Sequence, residues 1–138
     1  MLLLVLSKVL ASESSLIQSL SHFIHKLNHE EDALVVVEGV RDAKALRDSG
    51  FDGEIFMLCH KQNLARLESE ASHYKKTILL LDNDSEGKKL VARTKRILEG
   101  RVKLDTYYQR EILPASKGKI RRVEELQAYS QRVAHNIV

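Results

Sequence analysis

The sequence predicts an α/β fold with a four-stranded, mainly parallel sheet that is flanked by helices on both faces. Two observations lead to this prediction. Short apolar runs alternate along the chain with longer stretches in which apolar residues recur every three or four positions. This alternation is typical of parallel strands joined by right-handed helical crossovers. In addition, acidic residues follow two of the short runs, which is common where the carboxyl ends of parallel strands form a ligand site.

The first 32 residues are predicted to form a helical extension ahead of the sheet. Residues 1–10 are apolar and are compatible with either a strand or the start of a helix. In residues 12–28 the apolar side chains recur at helical spacing, and Ser12 is a suitable N-cap. Because Lys8 interrupts the apolar start, and because no run reaches the roughly 18 apolar residues of a membrane span, we expect no membrane association.

Four short runs are predicted to be the strands of the sheet. Three of them are rich in β-branched residues or leucine, which is typical of buried strands. The last run alternates between apolar and polar residues and is predicted to be an edge strand. In chain order, the predicted strands are residues 33–37, 55–59, 78–81 and 102–108.

Helices are predicted between these strands and near the C-terminus. Gly50 and Gly100 end the first and third connecting helices, and Asn63 is a suitable N-cap for the second. Pro114 predicts a break in the chain. A loop rich in lysine and glycine then leads to a final helix near residues 123–129.

Length and composition are those of one globular domain. We divide residues 1–138 into the helical extension 1–32, a core at 33–108, and a basic arm with a helix at 109–138. The net charge of +3 suits an anionic partner without requiring one. The one cysteine, Cys59, excludes a disulfide framework and favours a reducing compartment, so we expect the protein in the cytoplasm.

Carboxylates follow two of the predicted strands. Glu38 comes directly after the first strand, and Asp82 and Asp84 come after the third. If these two strands are neighbours, the three side chains lie at the same edge of the sheet. Carboxylate oxygens are the ligands that Mg²⁺ prefers, and a Mg²⁺ site of this kind suits phosphoryl transfer. The sequence therefore predicts a site for Mg²⁺, or for Mn²⁺ in its place, at this edge.

Glycine and basic residues near these acids favour a substrate that carries phosphates. Gly39 and Gly87 allow a close approach of the backbone, and the helix after Asp84 offers free N–H groups at its start. Basic side chains would bind a polyanionic chain. The candidates are Lys88, Lys89 and Arg93 on this helix, and Lys117, Lys119, Arg121 and Arg122 in the C-terminal arm.

Simpler interpretations apply to several of these residues when each is taken alone. Asp42 is best interpreted as a cap of the helix that follows Gly39. The basic helix face is typical of a solvated surface, and Cys59 is typical of an inert core thiol. His60 follows the second predicted strand and could approach the same edge.

Two motifs resemble those of the Toprim domain family. Residues 35–46, Val-Val-Val-Glu-Gly-Val-Arg-Asp-Ala-Lys-Ala-Leu, resemble the first Toprim motif, in which a hydrophobic strand ends in Glu-Gly and an Asp follows. Residues 79–87, Leu-Leu-Leu-Asp-Asn-Asp-Ser-Glu-Gly, resemble its Asp-x-Asp motif. Arg93 stands where bacterial primases also carry an arginine. The resemblance covers residues 33–108, and the layout is similar to small stand-alone primase-like Toprim proteins of archaea and to Toprim ribonucleases.

The resemblance implies a Rossmann-like Toprim fold and Mg²⁺-dependent phosphodiester chemistry. It implies that Glu38 is an acid/base group beside the metal and that Asp82 and Asp84 are metal ligands. The second predicted strand departs from the family, because it ends in Cys-His-Lys-Gln-Asn at residues 59–63 rather than in a small turn that contains glycine. The residues that the resemblance assigns to supporting roles are Gly39, Asp42 and Gly87.

Three hypotheses about function follow. The first is a Mg²⁺-dependent nuclease that acts on structured RNA, with RNA favoured over DNA. The second is a primase-like nucleotidyltransferase, and the third is a nucleic-acid-binding Toprim module without catalysis. A homodimer or a larger assembly is an option in each case, because a small domain with a shallow edge has little surface to grip a long substrate.

Overall fold

A computed structural model describes residues 1–59 and 63–136. Within these residues, strands and helices alternate after a long N-terminal helix, as the sequence predicts. The strands are β1 (Ala33–Val37), β2 (Glu54–Met57), β3 (Lys76–Leu79) and β4 (Leu104–Asp105). The helices are α1 (Leu2–Asn28), α2 (Val40–Asp48), α3 (Leu64–Ala71), α4 (Ser85–Leu98), α5 (Tyr107–Ala115), a 3₁₀ helix (Val123–Tyr129) and α6 (Ser130–His135).

The four strands form one sheet in the order β2-β1-β3-β4, and all three pairings are parallel. Val35 in β1 is level with Ile55 in β2 and with Ile78 in β3. The predicted four-stranded parallel sheet is therefore confirmed, and so is the adjacency of the first and third strands. Because β1 and β3 run in the same direction side by side, the residues that follow them leave the sheet at the same edge.

Alternate residues of the central strands pack against different helices. Val35, Val37 and Ile78 belong to an apolar cluster with α1, α2, α5 and the C-terminal helices. Val36 and Leu79 belong to a second cluster on the other face, with α3 and α4. The sheet is thus covered by helices on both faces, as predicted, because both faces of these strands are apolar.

Helix α1 differs from the prediction at its start. It begins at Leu2, so residues 1–10 are helical and Ser12 lies inside the helix rather than at its N-cap. Leucine is a strong helix former, and no glycine or proline interrupts the segment. Residues 1–15 are exposed, whereas the part from Leu16 to Leu27 packs into the core. By length and composition alone this helix could cross a membrane, a test that core helices of soluble proteins also meet.

The predicted edge strand at 102–108 is mostly wrong. Only Leu104 and Asp105 pair with β3, and the chain then enters helix α5. Tyr108 and Ile112 are four residues apart and both lie in the core, so helical spacing outweighs the short alternation. Pro114 does not break this helix in its middle, because it is the last residue but one.

The final predicted helix is also irregular. It begins at Val123 as predicted, but as a 3₁₀ helix that passes into α6 at Ser130. Asn63 stands at the N-cap position of α3, yet its side-chain amide donates to the carbonyl of Met57 (2.9 Å) instead of capping the helix. His60 lies outside the described residues.

Candidate functional site

Glu38 and Asp82 leave neighbouring strands at the same edge of the sheet. The backbone N–H of Leu80 donates to the carbonyl of Val36 (2.9 Å), so β3 stays beside β1 up to this edge. On the other side, the N–H of Cys59 donates to the carbonyl of Glu38 (2.7 Å). These bonds fix the backbone at Glu38 between the two neighbouring strands. The sheet therefore brings Glu38 to the Asp-x-Asp turn.

The carboxyl group of Glu38 lies in an environment that disfavours its charge. Burial and the neighbouring charge of Asp82 raise the pKa of Glu38 to about 7, and Asp42 and Asp84 add smaller contributions. Among the described residues, Oε1 of Glu38 is buried without a hydrogen-bond partner. An unpaired buried polar atom is costly, and a bound cation would remove this cost.

Asp82 is buried and held by contacts from distant parts of the chain. Its Oδ1 accepts a hydrogen bond from the N–H of Val123 (2.9 Å). Burial raises the pKa of Asp82, while the N–H of Val123 acts in the opposite direction, and the charge of Asp84 raises the pKa further. Asp82 thus has one oxygen bonded to Val123 and a second, Oδ2, outside that bond.

Asp84 is the N-cap of α4. Its Oδ1 accepts from the N–H of Gly87 (2.7 Å), and its Oδ2 lies 3.4 Å from Nε of Arg122. Gly87 is required by packing, because a Cβ at this position would lie 1.9 Å from the carbonyl oxygen of Asp82. Gly87 therefore allows the backbone of the Asp-x-Asp turn to lie close to the first turn of α4.

Asp42 is buried and has both carboxylate oxygens engaged. Oδ2 accepts from the N–H of Gly39 (3.0 Å), which is the capping contact that the sequence suggests. Oδ1 accepts from the N–H of Glu124 (3.0 Å). Burial, followed by the charge of Asp82, raises the pKa of Asp42 to about 6. Asp42 is therefore placed to connect α2 with the C-terminal part of the chain.

Gln109 is part of the site, although no sequence pattern indicates it. Its side-chain Oε1 accepts from the N–H of Leu81, and its Nε2 donates to the carbonyl of Asp82 (3.2 Å) and to Oδ1 of Asn83 (3.3 Å). The side chain of Asn83 donates back to the carbonyl of Gln109 (3.1 Å). A buried glutamine on the inner face of α5 could have been recognised only if that segment had been predicted as a helix.

The basic candidates lie at three places. Lys88, Lys89 and Arg93 are exposed on α4, whose N-terminus lies at the acidic edge. Arg121 and Arg122 are also brought to this edge, since the N–H of Asn83 donates to the carbonyl of Arg121 (2.7 Å) and Arg122 is paired with Asp84. Lys117 and Lys119 are exposed on the loop that precedes Arg121.

The donor set suits a hard cation. The groups at this edge are carboxylates, and Mg²⁺ and Mn²⁺ prefer such oxygen ligands. Within residues 1–59 and 63–136, no three acidic, histidine or cysteine side chains already form a complete ligand set. The buried Oε1 of Glu38 has no hydrogen-bond partner among the described residues, and it is an oxygen that a cation could engage. The chemistry of these residues therefore fits a divalent cation.

Comparisons with known proteins agree with this arrangement. The Toprim domain matches residues 33–115. A UPF0292 protein of Thermococcus sibiricus is 36% identical over 108 residues, covering 78% of this chain and 84% of the relative. A UPF0292 protein of Thermococcus gammatolerans is 37% identical over 111 residues, covering 80% and 82%. Among solved structures, a putative protein from Aquifex aeolicus has a TM-score of 0.65 and 28% identity, covering 77% of this chain and 96% of that one.

The comparisons and the geometry concern the same part of the chain. The matched residues include the Glu-Gly strand end, the Asp-x-Asp turn and all of α5. Toprim domains typically bind Mg²⁺ and act in connection with nucleic acids, so a metal-dependent role of this kind is supported for the chain. With the parallel sheet, the two motifs on adjacent strands and the archaeal relatives taken together, this chain belongs to the Toprim domain family.

Proposed function

We propose that the protein is a Mg²⁺-dependent nuclease that cleaves phosphodiester bonds in nucleic acid, with structured RNA as the favoured substrate. The observation that carries the proposal is the position of Glu38. Its carboxyl group is half-buried beside Asp82, its pKa is about 7, and one of its oxygens has no partner among the described residues. Burial and the neighbouring carboxylates disfavour the negative charge of Glu38, and a cation bound beside it would offset this cost.

Each acidic residue has a different part in this proposal. Asp82 and Asp84 would hold the cation together with Glu38, and the cation would supply positive charge to the phosphate and to the leaving oxygen. Glu38 would take a proton from the attacking water as its oxygen bonds to phosphorus, or return one to the sugar oxygen that leaves as the original P–O bond breaks. Asp42 would contribute by position only, because backbone N–H groups hold both of its oxygens. Asp84 differs, since its Oδ2 has only the 3.4 Å contact with the exposed Arg122 to give up to a cation.

The basic residues would bind the phosphate chain on either side of the acids. Lys88, Lys89 and Arg93 are exposed on α4 and extend away from the edge along that helix. Arg121 and Arg122 lie beside the Asp-x-Asp turn. Contacts of this kind bind by charge, so we expect the affinity for nucleic acid to fall as salt rises.

Two other features support RNA as the substrate and the cytoplasm as the location of the protein. RNA is favoured because the layout resembles that of Toprim ribonucleases. The cytoplasm is favoured because the chain has one cysteine, Cys59, which is a free thiol. Nucleotidyl transfer of the primase type would use the same acids, so the experiment below includes nucleotides and a template.

A binding module without catalysis is the second candidate. It is favoured by the contacts that the acids already make, since Oδ1 of Asp82 is bonded to Val123 and Asp84 is paired with Arg122. In this candidate the acids hold the C-terminal segment in place and bind no cation, so nucleic acid would bind equally well in Mg²⁺ and in EDTA. Binding of nucleic acid that is sensitive to salt, without any product, would support this candidate.

Cleavage assays with matched variants test the proposal. Structured RNA and a DNA of the same sequence are incubated with the protein in Mg²⁺ or in EDTA, with and without nucleotides and a template. We expect cleavage that requires Mg²⁺ and that falls at least about 100-fold in Glu38→Gln and Asp82→Asn. Glu99→Gln, which removes an exposed carboxylate at the far end of α4, serves as the control. Cleavage that survives in both site variants would reject the assignment.

A further inference from the structure

Two consecutive backbone N–H groups reach the acidic edge from the C-terminal part of the chain. The N–H of Val123 donates to Oδ1 of Asp82 (2.9 Å), and the N–H of Glu124 donates to Oδ1 of Asp42 (3.0 Å). Both acceptors are buried. Charge-assisted hydrogen bonds of this kind are short and strong, and they fix the orientation of a carboxylate.

The same segment makes two further contacts with the Asp-x-Asp turn. The carbonyl of Arg121 accepts from the N–H of Asn83 (2.7 Å). The guanidinium of Arg122 lies 3.4 Å from Oδ2 of Asp84. Residues 121–124, which we name the C-terminal clamp, therefore contact each residue of the Asp-x-Asp turn from Asp82 to Asp84, as well as Asp42.

The C-terminal clamp is itself held in place. Ile120, Val123 and Leu126 are buried in the core on the α1 face of the sheet. Oε1 of Glu125 accepts from the N–H groups of Arg121 (3.1 Å) and Arg122 (2.7 Å), which closes the turn behind them. Core packing and these hydrogen bonds thus fix the position of the clamp beside the acids.

We propose that the C-terminal clamp is a positioning element of the metal site, and that its docking and the binding of a divalent cation are coupled. The proposal rests on the proposed function, because it takes the acids as the metal ligands. The bond from Val123 fixes Oδ1 of Asp82 and does not involve Oδ2, the oxygen that we assign to the cation. The N–H of Glu124 binds one oxygen of Asp42 and the N–H of Gly39 binds the other, so Asp42 links the start of α2 to the clamp. Coupling of this kind is reciprocal, so a bound cation also strengthens the hydrogen bonds from the N–H groups of Val123 and Glu124, while the exposed Arg122 gives up its contact with Asp84.

Substitution of Val123 by proline tests the clamp directly. Proline removes the N–H that donates to Asp82, and it is tolerated as the first residue of a helix, which is the position of Val123. Arg122 has φ −109° and ψ 133°, the extended conformation that a residue before proline prefers. Val123→Ala is the matched control, because it also loses the buried valine side chain but keeps the N–H.

Mg²⁺ binding is measured by calorimetry in the absence of nucleic acid, on variants whose circular dichroism shows that they are folded. We expect Val123→Pro to bind Mg²⁺ about tenfold more weakly than Val123→Ala, as is usual when a group that orients a metal ligand is removed. Equal affinities of the two variants would overturn the role of the clamp and leave the proposed function intact. Absence of Mg²⁺ binding to the wild type would overturn both.

Hydrogen exchange on the wild type provides a test that needs no variant. By the reciprocal coupling, Mg²⁺ should slow exchange of the N–H groups of Val123 and Glu124 about tenfold, provided that the cation binds. The N–H groups of α3, on the opposite face of the sheet, serve as the internal control. Unchanged exchange at Val123 and Glu124 under saturating Mg²⁺ would overturn the coupling, even if Val123→Pro does not fold.

Discussion

Glu38 and Asp82 stand at the ends of two adjacent parallel strands, and each is close enough to alter the ionisation of the other. Asp42 and Asp84 lie near the same edge of the sheet, close enough for their charges to act on Glu38. Such a concentration of negative charge is unfavourable in the absence of a cation. This relationship gives the acidic edge measurable consequences for stability as well as for function.

Glu38→Gln should stabilise the protein when no divalent cation is present. The pKa of Glu38 is raised from 4.5 to about 7, so the folded state binds more protons than the unfolded state between these pH values. The stability that protonated Glu38 contributes is therefore lost as pH rises from 4.5 to about 7. The stability that protonated Asp42 contributes is lost in the same direction, up to about pH 6. We expect Glu38→Gln to gain roughly 1–2 kcal/mol at pH 8, a value that allows for solvent at this half-buried group.

Urea unfolding in EDTA at pH 5 and pH 8 measures this effect. The wild type should lose stability between the two pH values, and Glu38→Gln should lose less. Glu99→Gln, which removes an exposed carboxylate, is the control. If Glu38→Gln is as pH-dependent as the wild type, burial of the Glu38 charge does not matter for folding.

Gln109→Leu should destabilise the protein and loosen the Asp-x-Asp turn. The change leaves the N–H of Leu81 and the carbonyl of Asp82 without their side-chain partner. Buried groups left unpaired in this way cost roughly 1–3 kcal/mol each. The same substitution at the exposed Gln131 on α6 is the control. Thermal unfolding of both variants measures the difference, and equal melting temperatures would show that Gln109 is dispensable.

Gly87→Ala should be poorly tolerated, whereas Gly39→Ala should fold normally. A Cβ at Gly87 would lie 1.9 Å from the carbonyl oxygen of Asp82, while a Cβ at Gly39 would meet no atom within 4 Å. The α4 N-terminus must therefore shift in Gly87→Ala, at a cost of about 1–3 kcal/mol or more. Chemical denaturation of the two variants tests this, and a Gly87→Ala protein as stable as the wild type would contradict the packing described here.

Removal of residues 1–10 should leave the stability of the fold unchanged. All of these residues are exposed, with Leu2, Leu3 and Leu10 at least 66% exposed. In contrast, Leu20→Ala, at a position with no exposed surface, should cost roughly 2–5 kcal/mol. Thermal unfolding of the truncated protein and of Leu20→Ala compares the two halves of α1. A large loss of stability on truncation would mean that the N-terminal half has a partner.

The fold and the location of the acids could be predicted because both depend on local pattern. Apolar runs such as Val35 to Val37 identify buried strands, and the parallel pairing of β1 with β3 then places Glu38 beside Asp82. The edge strand at 102–108 was wrong because a short alternation can also occur on a helix, where Tyr108 and Ile112 share a face.

The contacts of Gln109 and of the C-terminal clamp could not be predicted from the sequence. Val123 meets Asp82 across 41 positions, and no local rule relates them. The basic sequence predicts that Arg121 and Arg122 lie on an arm for nucleic acid, whereas the carbonyl of Arg121 also holds the acidic turn. Such contacts are set by how the final helix packs on the core, which only the three-dimensional structure shows.

A titration with Mg²⁺ in the absence of nucleic acid tests the central claim, namely that Glu38, Asp82 and Asp84 together hold a divalent cation. Calorimetry or Mn²⁺ paramagnetic resonance on the wild type should show binding that weakens at least about tenfold in Glu38→Gln, Asp82→Asn and Asp84→Asn, and that is unchanged in Glu99→Gln. Binding of equal strength in the wild type and all three site variants, or no binding to the wild type, would contradict the claim.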